Sequence, residues 1–273
     1  MVLGRIAEIV GAGGAVPEDI DPFGFCTQIL PLLGTTDGRL REYRVYGILH
    51  LWAIRREMSD DEMRRLLWTI ADEEHLFLDI GEQESDAVYM REFSVLVLGG
   101  FVRAHREKAY LASEELERLA ERVIGYLNAE RDLRGFVSPE TLWAHAAAHA
   151  ADTLGELARC EELGPETLRA ILDALGRNLV TDRTVWRHEE DARAASAAIC
   201  ALKRESLTDE QIEDWLASLV PDARYEGEQP GTHWRFVNAR NLLRCLIHQG
   251  DPEGLPDRLH AFVRKAHAAL PER

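Results

Sequence analysis

Apolar residues recur at helical spacing through almost the whole of this chain, and no convincing run of alternating, β-branched residues with hairpin turns interrupts them. A chain patterned in this way buries its apolar positions by packing helix against helix. Start signals support the phasing. Ser59 with Glu62 and Thr208 with Gln211 are spaced as capping boxes, in which side chains satisfy the amides left open at a helix start. Ser138-Pro139 and Gly164-Pro165 set a proline at a first helical position. The helices expected are residues 2–11, 23–34, 38–57, 60–78, 86–107, 114–131, 139–159, 165–180, 187–204, 209–219, 232–249 and 255–269. About a dozen helices with short connections predict an all-α fold of stacked antiparallel helical hairpins, a HEAT-like α-solenoid spanning residues 1–273 as a single domain. The echoes Leu51-Trp52-Ala53, Leu67-Trp68-Thr69 and Leu142-Trp143-Ala144 are unequally spaced and make only a weak repeat. Residues 11–23 and 221–231 are the linker candidates.

Charge narrows the function classes. The chain carries 48 acidic against 32 basic residues, a net charge of −16, whereas phosphate backbones and anionic membranes call for a basic face. Neither a nucleic acid nor a membrane is an expected partner. The longest largely apolar run, Phe93 to Val102, is about half of the roughly 20 residues a membrane helix needs. Arg5 and Glu8 interrupt the stretch that a signal peptide would keep apolar. Cys26, Cys160, Cys200 and Cys245 lie too far apart for a zinc or redox motif and are expected as reduced thiols of a cytoplasmic protein. Gly11-Ala12-Gly13-Gly14 lacks the last glycine of a dinucleotide fingerprint and follows a helix, no phosphate-binding loop motif is present, and Ser94, Ser196 and Ser206 sit in no nucleophile elbow. No cofactor is expected.

The expected helix 139–159 carries His145, His149, Asp152 and Glu156 within roughly 60° of one another at about 100° per residue, opposite Trp143, Ala147, Ala150, Leu154 and Leu157. A solvated polar face accounts for this stripe as well as a site does. The two histidines at i and i+4 suit a metal, yet Ala146 stands where a zinc helix of the HExxH type has its glutamate. Just upstream, Glu130-Arg131-Asp132-Leu133-Arg134-Gly135 sets two carboxylates and two guanidinium groups at a hairpin mouth, an arrangement that a helix terminus with a local ion pair also explains. His188-Glu189-Glu190-Asp191-Ala192-Arg193 opens a later helix, where acids suit the positive end of the helix dipole.

Taken together, residues of about 82–250 resemble the bacterial family catalogued as domain of unknown function 2785. The resemblance is carried by Gly81-Glu82, Asp86-Ala87-Val88-Tyr89, Arg91-Glu92-Phe93-Ser94, the Glu130–Gly135 string, Trp143 to Asp152 (WAHAAAHAAD), Glu189–Arg193 and Asn238-Ala239-Arg240-Asn241-Leu242-Leu243-Arg244. Glu92 departs from the small residue usual between Arg91 and Phe93, and Arg41-Glu42 from the usual Arg-Asp pair. The resemblance implies an α-solenoid and no activity. On chemistry, not on any quoted motif, the chain is also similar to the aziridine-forming synthases of actinomycete natural-product pathways, which close a strained ring by expelling sulfate. That similarity implies a metal-independent biosynthetic enzyme that acts on a small polar amino-substituted substrate by elimination or intramolecular cyclisation, with delivery by a carrier protein left open. Glu130, Asp132, His145 and His149 are the expected catalytic residues, and Arg91, Arg134, Trp143, Asp152, Glu190, Arg193 and Asn238 the expected substrate-binding ones. The alternatives are a non-enzymatic solenoid that binds a protein or peptide, and a metallohydrolase centred on His145 and His149.

Overall fold

The computed structural model describes residues 2–221 and 230–271. It is all-α apart from one short β-hairpin. The elements run α1 (Val2–Gly11), α2 (Pro22–Ile29), a 3-10 turn (Leu30–Gly34), α3 (Gly38–Leu40), a π-helical turn (Arg41–Tyr46), α4 (Gly47–Arg55), α5 (Asp60–Ile70), α6 (Ala87–Glu107), α7 (Ser113–Ala129), β1 (Phe136–Ser138), β2 (Leu142–Trp143), α8 (Ala146–Ala158), α9 (Pro165–Leu179), α10 (Glu190–Leu202), α11 (Asp209–Ser218), α12 (Pro230–Glu253) and α13 (Asp257–Ala268). Both expected capping boxes form at the starts of α5 and α11, and Pro165 opens α9 behind Gly164. No described helix is long and apolar enough to cross a membrane. The linker expected at 221–231 falls mostly on residues 222–229, outside those described.

Three stretches differ from expectation, each for a local reason. The helix expected from residue 139 begins only at Ala146. The Ser138 hydroxyl accepts the amides of Glu140 at 3.2 Å and Thr141 at 3.1 Å, the same local bonding a helix cap makes. Here it closes a turn, and β1 then pairs antiparallel with β2. Helix α5 stops at Ile70, and beyond it the Asp72 carboxylate takes the amides of Glu74 and His75 into a side-chain turn. The expected helix 38–57 is helical, but its second turn widens into the π-turn Arg41–Tyr46. One-turn widenings of this kind shift the facing of every side chain after them.

The chain divides into two compact units, residues 1–115 with 129–153, and residues 116–128 with 154–273. In the first, α6 is the central element: its sequence is apolar nearly all round, and it is buried along most of its length by α4, α5 and the 3-10 turn. Two glycines let its neighbours approach closely. A Cβ at Gly99 would meet Thr153 Oγ1 at 2.9 Å, and one at Gly100 would meet His50 Nδ1 at 2.7 Å. In the second unit α9, α11 and α13 touch in succession, α10 packs on α12, and contacts of α9 with α10 and of α12 with α13 join the two rows. Such a two-row order is what stacked helical hairpins produce.

Candidate functional site

The Glu130–Gly135 string leaves α7 and folds into a clamp. Arg91, fully buried on α6, donates from Nε to Glu130 Oε2 at 2.8 Å and from Nη2 to Oε1 at 3.0 Å, while its Nη1 holds the carbonyls of Leu78 at 2.9 Å and Asp79 at 3.3 Å. Glu130 Oε1 also accepts the amides of Arg131 and Asp132 at 2.8 and 2.9 Å. Asp132 is equally committed. It accepts from Arg134 Nε at 3.0 Å and Nη2 at 2.6 Å, and from the amide of Glu84 at 3.1 Å, and Arg134 Nη2 goes on to the Ser85 carbonyl at 2.8 Å. The hydrogen bond to Asp132 raises the Arg134 pKa. Two carboxylates and two guanidinium groups thus fasten the loop ahead of α6, with most of their hydrogen-bonding capacity spent on one another and on backbone.

The reactive-looking groups gather beside this clamp, in the same unit. Six ring contacts run without a break from α4 to β1: His50 to Tyr46 (5.2 Å between centroids), Tyr46 to Phe93 (5.7 Å), Phe93 to His149 (5.4 Å), His149 to His145 (5.7 Å), His145 stacked on Trp143 (5.0 Å) and Trp143 to Phe136 (5.3 Å). The wall contains three imidazoles, and Tyr46 Oη lies 3.3 Å from His50 Nδ1. Behind it Glu92, wholly buried on α6, sets Oε2 at 2.5 Å from His149 Nδ1. The contact is short but not well aligned as a hydrogen bond. Burial drives the Glu92 pKa well above the carboxylate range and the nearby Glu42 adds to the rise, while Arg41, His145 and the His145 amide oppose it.

Arg41 and Glu42 set the wall's far end. Arg41, fully buried in the π-turn, donates to the carbonyls of Thr35 at 2.7 Å, Thr141, and Trp143 at 3.0 Å, with its guanidinium 4.2 Å above the Tyr89 ring and 5.0 Å above that of Phe93. Glu42 Oε1 accepts the Trp143 amide at 3.0 Å and pairs with Arg41 at 3.2 Å. The two side chains therefore hold both polar groups of the Trp143 backbone and fix the approach to His145. The β-turn is clipped on as well, since the Gly38 amide donates to the Glu140 carbonyl at 3.0 Å.

Of the expected site residues, Arg91, Glu130, Asp132, Arg134, Trp143, His145, His149 and Asp152 belong to the first unit, and Glu190, Arg193 and Asn238 to the second. Far from forming a solvated stripe, His145 and His149 are buried. Glu190 Oε2 accepts the amides of Arg187 at 3.2 Å and His188 at 2.8 Å ahead of α10. Asn238 ties down backbone between α9 and α10. Arg41, Glu42, Tyr46, His50, Glu92 and Phe93 join the wall from outside the set of expected site residues. Two signals pointed there: the Arg41-Glu42 pair and Glu92 were the places where the chain departs from the pattern it resembles. Among the described residues no three His, Cys, Asp or Glu side chains are arranged to hold a metal ion. A family model described as a protein of unknown function, DUF2785, matches residues 76–247. No curated protein and no solved structure matches the chain.

Proposed function

We propose, for a chain that belongs to the DUF2785 family of proteins of unknown function, that its first unit is an acid–base enzyme site for a small polar amino-substituted substrate. The observation that carries this reading is the buried Glu92 carboxyl 2.5 Å from His149 Nδ1, within a wall of three imidazoles. A carboxyl oxygen facing Nδ1 orients the imidazole and keeps its proton on that nitrogen, which leaves Nε2 with the lone pair a general base requires. His149 is the base, Glu92 its positioning partner, and His145 and Trp143 the face against which the substrate packs. The reaction is elimination or intramolecular cyclisation. In the ring-closing form, His149 takes a proton from the substrate amine, the nitrogen pair forms the new C–N bond, and the C–O bond to sulfate breaks with its electrons leaving on sulfate. His145 donates to that departing anion. Glu130 and Asp132, spent in the clamp, hold the scaffold. We read the chain as cytoplasmic, in keeping with its four free thiols.

The test is sulfate release from a series of 2-aminoalkyl hydrogen sulfates by purified protein, with the cyclised amine identified by mass. General-base removal costs about 10²- to 10⁴-fold in rate. His149→Ala should lose turnover on that scale, and Glu92→Gln should lower kcat and shift its pH profile. Absence of release from the whole series, or full activity in His149→Ala, overturns the proposal. The two-row stack of α9 to α13 is the observation that favours a second reading, a scaffold for a protein or peptide.

A further inference from the structure

A groove of about 510 Å³ opens in the second unit, lined by Arg177 of α9, Thr181, Asp182 and Arg183 of the following segment, Arg235 of α12, and Asp173. On a chain of net charge −16, three arginines against two aspartates, Asp173 and Asp182, give this one hollow a positive excess. Asp173 adds little against them, because Arg169 Nε pairs with its Oδ1 at 2.9 Å. The wall is fixed in place. Asn238 Nδ2 donates to the carbonyls of Thr181 at 2.9 Å and Thr184 at 2.8 Å, its Oδ1 accepts the Trp186 amide at 3.3 Å, and Trp186 Nε1 donates to the Leu179 carbonyl at 2.8 Å. The buried Thr181 hydroxyl accepts from the Arg183 amide at 3.2 Å and from its Nε at 3.3 Å, which leaves the hydroxyl proton to donate.

We propose that this groove binds the phosphate or sulfate group of a small molecule, with Arg177 and Arg235 as the charged clamps and Thr181 as a hydroxyl donor. Guanidinium groups present planar pairs of donors that match such oxyanions, and the backbone beside Thr181 is held before binding by Asn238 and Trp186. The hollow exceeds what a bare ion fills and falls in the range of about 300 to 1,000 Å³ typical of small-molecule sites. The assignment is independent of the acid–base reading, since no residue of the first unit enters it.

The experiment is calorimetric titration of the full chain with inorganic phosphate, with sulfate and with acetate, at constant ionic strength. Phosphate or sulfate should saturate one site per chain and acetate should bind more weakly. Arg177→Ala and Arg235→Ala should each weaken binding about tenfold or more, about 1.4 kcal/mol, with far-UV circular dichroism unchanged. Arg264→Ala, an exposed arginine of α13 outside the groove, should leave binding as it is. Absence of saturation, acetate binding as tightly as phosphate, or undiminished binding in the Arg177→Ala/Arg235→Ala variant overturns the proposal.

Discussion

Glu92 shows how one buried group links stability to pH. Its pKa in the fold stands well above the ordinary value of 4.5, so above pH 4.5 the folded chain holds a proton that the unfolded chain has already lost. Stability from this group is therefore lost as pH rises, from the carboxylate range up to the raised value. Glutamine keeps the shape and has no proton to lose. Thermal melts of Glu92→Gln should fall less steeply than wild type between pH 5 and 8, and equal slopes would show that Glu92 is already ionised in the fold. Glu130 bears on stability through its ion pair. Its bidentate pair with Arg91 is buried, and removing one partner strands the other, a loss of about 3 to 5 kcal/mol. Glu130→Gln keeps a neutral acceptor, so chemical denaturation should show a large part of that loss. A variant as stable as wild type would mean that Glu130 is not the anchor its contacts describe.

At the scale of elements, the hairpin before α8 matters most, because it delivers Trp143 and His145 to the ring wall. Gly38 is where α3 touches it. A Cβ there would lie 2.7 Å from the Thr141 carbonyl carbon and oxygen, backbone atoms that cannot swing aside. Gly38→Ala should destabilise by about 1 to 3 kcal/mol through overpacking and should shift the imidazole resonances of His145 and His149. Gly47→Ala, in the helical backbone nine residues on, meets nothing within 4 Å and should stabilise by up to about 1 kcal/mol. If the two variants melt alike, the hairpin is not seated on α3. This contrast also shows what could be seen in the sequence. The capping boxes at Ser59 and Thr208 were legible because all their partners lie within four residues. Ser138 misled because a turn and a helix start use the same hydroxyl-to-amide bonds. His145 and His149 stood out as a stripe, but the carboxyl that lies against His149 comes from Glu92 on α6, 57 residues earlier, and no spacing within a helix marks a packing of that range. The widened turn at Arg41–Tyr46 has no sequence signature either, and it sets the facing of Tyr46 and His50.

Across the whole molecule, 48 carboxylates against 32 cations leave an excess of negative charge that repels itself in the folded state more than in the expanded one. Salt acts on this excess and on the ion pairs in opposite directions. Exposed pairs such as Arg258 with Asp209 and Lys265 with Glu213 contribute little and lose little on screening, and the buried Arg91–Glu130 pair is screened least of all. Relief of repulsion should therefore win, and the melting temperature should rise as sodium chloride is raised from about 10 mM to about 0.5 M, where the screening length falls to a few ångströms. A fall would mean that ion pairing outweighs the net charge. Sulfate separates the global effect from the local one. As an excluded ion it stabilises any fold, so its advantage over chloride at matched ionic strength must be compared between chains. Wild type should gain more from sulfate than Arg177→Ala/Arg235→Ala does, because a ligand that binds only the folded state adds its own mass-action term. Equal gains would leave the sulfate effect wholly general and the three-arginine groove without a ligand of this class.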